Sequence, residues 1–175
     1  MSNPSRIPGA TFVLGLGSNL GDRLGFLEAA CRRLSELELR LISRSRIYLT
    51  APLGPAQPDY FNCALLIESQ LEPTALLKQT IAIEESLGRV RPATERWGPR
   101  TIDIDLLWWS QGCLNVPGLQ LPHVGLKERS FALVPLLELL PTACCPQSGE
   151  AYAGLPAAKE KLAPGVPWKR PSPST

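Results

Sequence analysis

Arg96-Trp97-Gly98-Pro99-Arg100-Thr101-Ile102-Asp103-Ile104-Asp105-Leu106-Leu107 gathers cations, a Gly-Pro turn and two carboxylates into one short stretch. From Thr101 to Trp109 the residue types suit an extended strand. Strand side chains alternate faces, so Asp103 and Asp105 point to one side and Ile102, Ile104 and Leu106 to the other. Two like charges one pleat apart repel, so a cation is expected between them. Mg²⁺ is held in this way, by one or two carboxylates with water and phosphate oxygens completing its octahedron. Arg96 and Arg100 can clamp phosphate through the forked guanidinium. A strand with one solvated face would carry the same Asp-x-Asp spacing, but the adjoining Arg-Trp-Gly-Pro-Arg turn favours a phosphate and metal site. Arg89 and Arg91 thicken the same basic stretch, which fits a local anionic ligand better than a polyanion groove.

The rest of the chain must position these groups. At 175 residues it is most simply one domain with a proper core. A net charge of +2 is too small to imply a nucleic-acid partner. Cys31, Cys63, Cys113, Cys144 and Cys145 contain no Cys-x-x-Cys pair and read as reduced, buried thiols of a cytoplasmic protein. No apolar run long enough to span a membrane occurs, and Met1–Ala10 has no apolar signal core. Residues 1–10 are expected to be a flexible leader, 11–155 the working domain, and 156–175 a Pro-rich, weakly ordered tail.

Within the domain, Thr11–Leu16 reads as an apolar strand running into a glycine-rich turn at Gly17–Asp22, with Asn19 or Asp22 able to cap a helix that runs to about Leu37. Leu39–Thr50 reads as a second strand with Arg40, Arg44 and Arg46 on a solvated side, and the Pro-rich stretch Ala51–Asp59 as an irregular, functional loop. Tyr60–Glu68 is a third strand, apolar except for Asn62, and Pro73 opens a second helix that ends at Gly88. Beyond the Asp-x-Asp strand, Leu114–Leu121 reads as a strand pair or extended link and Glu128–Leu140 as a helix broken near Pro135. Strand, helix, strand, strand, helix, strand is the ferredoxin-like βαββαβ plan of an α+β protein, an antiparallel sheet with helices on one face and C-terminal additions.

Gly15-x-Gly17-x-x-x-Gly21 between strand and helix invites comparison with a dinucleotide fingerprint, but its spacing is off by one. No further βα units follow to complete a doubly wound sheet.

Gly15-Leu16-Gly17-Ser18-Asn19-Leu20-Gly21-Asp22-Arg23, Pro52-Leu53-Gly54, Gln57-Pro58-Asp59-Tyr60-Phe61-Asn62, the Arg96–Asp105 stretch, Leu121-Pro122-His123 and Glu128-Arg129-Ser130-Phe131 follow one another in an order that resembles the 6-hydroxymethyl-7,8-dihydropterin pyrophosphokinases. The resemblance implies Mg-dependent transfer of pyrophosphate from ATP to the hydroxymethyl oxygen of the pterin, releasing AMP, in folate biosynthesis. It implies that Asp103 and Asp105 hold two Mg²⁺ ions and that Glu84, Arg89, Arg91, Trp97, Arg100, His123 and Arg129 lie at the ATP. Leu53, Gly54, Tyr60, Asn62, Trp97, Asp103 and Phe131 would take the pterin, with Arg89, Arg100 and Asp105 as catalytic groups. Asp105 is the nearest candidate for a general base, and metal-assisted attack without a dedicated base is equally open. Ile81 stands where some relatives carry a polar side chain near ATP. The expected partners are ATP and the pterin, with no nucleic acid, no membrane and a monomeric state. A pterin- or nucleotide-binding module without catalysis is the alternative, one that would not need both metal carboxylates beside a phosphate clamp.

Overall fold

The computed structural model describes residues 9–89 and 98–169. At its centre is β1 (Ala10–Ser18), flanked by β4 (Tyr60–Ser69) and β5 (Asp103–Trp109), both antiparallel to it. β2 (Leu39–Arg44) and β3 (Tyr48–Thr50) follow one another along the far side of β4, and a two-residue β8 (Ala163–Pro164) closes the outer edge of β3. A separate hairpin joins β6 (Leu114–Val116) to β7 (Leu119–Leu121).

The second strand expected over Leu39–Thr50 is two strands. Ser45, buried at the break, donates its N–H to Ala64 O at 2.9 Å, and its hydroxyl accepts Ala64 N at 2.8 Å. One side chain thus replaces a rung of the ladder while the chain changes course. The first strand also begins at Ala10 and runs on to Ser18, so Gly17 lies in the strand and the turn starts at Asn19.

Helices cover both faces, not one. α1 (Arg23–Ser35) is capped by Asp22, whose Oδ1 accepts Gly25 N at 2.9 Å, and α2 (Pro73–Ser86) starts on its proline. They bury Leu27, Leu34, Leu76 and Ile83 against Phe12, Leu14, Leu16, Leu65, Ile67, Ile104 and Leu106. On the opposite face Val13, Ala64, Leu66 and Leu107 pack against Leu133 and Leu136 of α3 (Ser130–Leu139) and against Tyr152. Short 3-10 turns at Tyr152–Gly154 and Pro156–Lys159 complete this layer. The reason lies in β1 and β4: Phe12-Val13-Leu14 and Cys63-Ala64-Leu65-Leu66-Ile67 do not alternate with polar residues, so each face of the sheet needs cover.

α3 continues through Pro135 rather than breaking there. A proline inside a helix forfeits one bond, here the one to the Phe131 carbonyl, and this apolar helix offsets that cost by packing its buried Ala132, Leu133, Pro135 and Leu136 on the sheet. Nor is the expected weak tail loose as far as Lys169. Beyond the 3-10 turns, β8 pairs with β3, and Trp168 packs on the core while donating Nε1–H to Ser45 O at 2.8 Å. Proline content hid one large aromatic with a place to go. Cys31, Cys63 and Cys145 are buried as expected, whereas Cys113 is exposed. Among the described residues no helix is long and apolar enough to cross a membrane.

Candidate active site

The C-terminal ends of β1 and β3 meet the N-terminal ends of β4 and β5 at one end of the sheet. On the face that carries α3, this end is left uncovered. Register explains why a hollow forms: Gly15 stands between Ala64 and Asp105, and Gly17 between Asn62 and Asp103. A Cβ on Gly17 would lie 2.7 Å from Asn62 Oδ1, and one on Gly15 would lie 2.9 Å from Leu107 Cδ1. The two glycines therefore lower the floor of a cavity of about 400 Å³ and let its polar side chains approach across β1.

Ten of the residues expected at a site line this one cavity. Asp103, Asp105, Arg89, Arg100, His123 and Arg129 form its charged part; Leu53, Tyr60, Asn62 and Phe131 line the remainder. Leu77 and Ile81 of α2 add apolar wall. Gly54 is not on the lining, and its φ of +95° instead serves the turn beside Leu53. Arg91 and Trp97 lie outside the described residues.

Glu84 does not line the cavity either, and it is only 1 % exposed. Its Oε1 accepts Ile104 N at 2.7 Å, satisfying an outward N–H of the edge strand β5, and it pairs with Arg89 Nη1. The same Nη1 reaches Asp103 Oδ1, while Arg100 Nη1 bonds Asp103 Oδ2 at 2.5 Å. Asp103 is thus held between two guanidiniums, one of them aimed from below by Glu84.

Asp105 is treated differently. Among the described residues, no hydrogen bond or ion pair reaches its carboxylate. Burial, reinforced by the charges of Asp103 and Glu84 and opposed by Arg89 and Arg100, raises its pKa to about 7. Among the described residues a carboxylate so placed has nearby positive charge but no direct ion pair, and the two in-phase acids fit a divalent ion whose other ligands come from phosphate and water. Among the described residues no third acid, His or Cys joins them as a metal cluster.

His123 reaches the cavity through a bulge. Leu107 is skipped in the β1–β5 ladder, and its carbonyl accepts His123 N at 2.9 Å. His123 Nδ1 accepts Gly125 N at 3.1 Å, so a neutral ring carries its proton on Nε2. Burial, with help from Arg129, lowers the pKa of His123 and favours that neutral donor. Arg129 folds back over Gly125, where a Cβ would meet its Nε at 2.5 Å.

At the other end Asn62 donates Nδ2–H to Thr50 Oγ1 at 2.7 Å, leaving Oδ1 over Gly17. Tyr60 sits beside it with its hydroxyl 3.5 Å from Gly98 O, and burial raises its pKa. The sequence reading missed Gly15, Gly17 and Thr50 as site residues. Two glycines alternating inside an apolar strand were the available signal for the floor. Asn19, read only as a possible cap, is 1 % exposed and acts as a clasp. Its Nδ2 donates to Gln57 Oε1 at 2.8 Å and Pro58 O at 3.0 Å, and its Oδ1 accepts Arg100 N at 2.7 Å. The Pro-rich loop and the arginine clamp are fastened to the same amide.

A family model described as 7,8-dihydro-6-hydroxymethylpterin-pyrophosphokinase matches residues 13–141. The 2-amino-4-hydroxy-6-hydroxymethyldihydropteridine pyrophosphokinase of Methylorubrum extorquens is 44% identical over 130 residues, covering 73% of this chain and 81% of the relative. That of Haemophilus influenzae is 39% identical over 140 residues, covering 79% and 86%. Among solved structures, a Plasmodium falciparum HPPK-DHPS superposes with a TM-score of 0.66 at 15% identity, over 85% of this chain and 45% of that one. The present chain spans less than half of that longer chain, and the likeness concerns the fold. With the matched span running from within β1 through α3 and containing every described lining residue of the cavity, the chain belongs to the 7,8-dihydro-6-hydroxymethylpterin-pyrophosphokinase family.

Proposed function

We propose that the cavity is divided between two substrates, with the pterin at Asn62, Tyr60 and Phe131 and the triphosphate at Arg89, Arg100, His123 and Arg129. As a member of its family the chain is an ATP-dependent pyrophosphokinase of folate biosynthesis, moving pyrophosphate from ATP to 6-hydroxymethyl-7,8-dihydropterin. The observation that carries the division is the contrast between a neutral, prebonded amide at Asn62 and a cluster of guanidiniums around Asp103 in one hollow.

The flat, polar pterin suits stacking between Tyr60 and Phe131, with Asn62 and the backbone near Leu53 and Gly54 bonding its edge. Arg91 and Trp97 are assigned to the ATP, and Trp97 also to the pterin, from the family resemblance alone. Glu84 serves the ATP by aiming Arg89. Two Mg²⁺ ions would be held by Asp103 and Asp105, and when bound they supply neutralising charge along the triphosphate. The hydroxymethyl oxygen attacks the β-phosphorus as the bond from that phosphorus to the α,β-bridging oxygen breaks and AMP leaves. Arg89, Arg100, Arg129 and the Nε2–H of His123 offset the charge that gathers on the leaving side. Asp105 is the nearest candidate acceptor for the hydroxyl proton, and loss of that proton to a phosphate oxygen or water without a dedicated base fits the site equally.

Numbered along the core, the strand order 4-1-3-2 supports reading the fold as ferredoxin-like βαββαβ, with residues 11–155 as the catalytic domain. A cytoplasmic monomer working without nucleic acid or membrane completes this reading, and a net charge of only +2 offers little to a polyanion.

The test is AMP release from Mg-ATP with and without the pterin, in wild type, Asp103→Ala and Asp105→Ala. Pterin-dependent AMP in wild type that both substitutions abolish is expected. Tight pterin binding with no AMP from any of the three would leave only a binding module.

A further inference from the structure

Residues 163–169 lie beyond the span that the family model matches, yet they are fastened to the strand that sets the proposed pterin edge. β3 is three residues long, too short to hold its own position as a free edge. β8 pairs with it at Tyr48↔Pro164 and Leu49↔Ala163, and Gly165 N donates to Ile47 O at 2.8 Å. Trp168 then reaches the break between β2 and β3. Its Nε1–H bonds Ser45 O at 2.8 Å, the Arg44 guanidinium lies 4.6 Å over its ring, and the indole packs on the α1/α2 core. Lys169 fixes the far end to α1, with N donating to Glu28 Oε1 at 2.9 Å and Nζ 3.5 Å from Glu28 Oε2. At the opposite end of β3, Thr50 Oγ1 receives the Asn62 amide.

We propose that Trp168 is a positioning residue for the pterin: with β8 it clamps β3, and through Thr50 it holds the Asn62 amide at the orientation that recognises the pterin edge. The proposal rests on the assignment of Asn62 to the pterin. It predicts an effect confined to one substrate, because the anchors of Arg89 and Arg100 lie on α2 and the Asn19 turn and, among the described residues, share no bond with the strap.

Full-length Trp168→Ala, Trp168→Phe, Asn62→Ala and the double variant are compared by steady-state AMP release, with KM measured for each substrate, and by thermal melting. Trp168→Ala should raise the pterin KM about five- to tenfold and leave the ATP KM and kcat within about twofold. Trp168→Phe, which keeps the packing but loses the bond to Ser45, should fall between. In the Asn62→Ala background, Trp168→Ala should add little, since both act at one contact. Gly165→Ala gives the same reading by another route, because its Cβ would lie 2.9 Å from Ile47 O and push the strap away. An unchanged pterin KM in both strap variants overturns the proposal. So does a loss of melting temperature and kcat with both KM values moving together, which is what a purely structural role would give. An unchanged pterin KM in Asn62→Ala overturns the assignment of the pterin edge itself, and the strap's route to the substrate with it.

Discussion

The two ends of the cavity solve the problem of buried polarity in opposite ways. At the Asn62 end the groups are neutral, and partners within the protein already orient them: Thr50 holds the amide, and Tyr60 lies along the wall. At the Asp103 end the groups are charged, and two guanidiniums share one carboxylate while Asp105 next to it bonds none among the described residues. A neutral amide costs little to hold in place without ligand, whereas buried charges must be matched or neutralised. On the proposed division of the cavity, the pterin end is therefore set before substrate arrives, while the charged end keeps an acid that a cation would balance. Phosphate oxygens would compete for the guanidiniums that now neutralise Asp103.

The largest expected effect breaks the charged end. Asp105→Asn keeps the shape of the side chain and removes the negative charge, and kcat should fall by about 10³-fold or more with the pterin Kd nearly unchanged. Stopped turnover and pterin fluorescence titration on the same sample measure both. A comparable loss of pterin affinity would erase the difference between the ends.

A middling effect is expected at the floor of the neutral end. Gly17→Ala brings a methyl within 2.7 Å of Asn62 Oδ1, so the amide must turn away from Thr50 or from the ligand. The pterin KM should rise about tenfold while the ATP KM stays within about twofold. An equal rise for ATP would mean that the floor serves both substrates.

The smallest effect concerns stability. Burial and neighbouring acids raise the pKa of Asp105 to about 7 in the folded protein, above the usual carboxylate value near 4. Between these values the folded state holds the extra proton, so this group's contribution is full below about pH 4 and is lost as pH rises toward 7. In metal-free buffer, wild type should lose melting temperature relative to Asp105→Asn over that window, on the order of 10 °C, and the gap should be flat above it. Parallel curves for the two proteins would show that Asp105 titrates normally.

The Asp103–Asp105 pair was legible in the sequence because strand alternation is a local rule, and these two residues obey it. The floor opposite them was not, because Gly15↔Asp105 and Gly17↔Asp103 are matched by register between distant strands. Asn19 looked like a cap because Asn caps helices, yet Asp22 takes that role and Asn19 reaches 81 residues along the chain to Arg100. Glu84 is placed at the ATP by resemblance, and in the structure it is buried and paired with Arg89, a contact that no local pattern announces. Composition spoke against order after residue 156, since prolines are counted by such a reading and one aromatic is not. The βαββαβ element sequence could be read from periodicity, but a second helical layer was hinted only by the unbroken apolar runs of β1 and β4.

The central claim, a pterin end and a phosphate end in one cavity, is tested most directly by equilibrium binding of each substrate to Asn62→Ala and Arg100→Ala. A crossed pattern is predicted: Asn62→Ala weakens pterin binding about tenfold or more and leaves Mg-ATP within about twofold, and Arg100→Ala does the reverse. Equal weakening of both ligands by either substitution would contradict the division of the site.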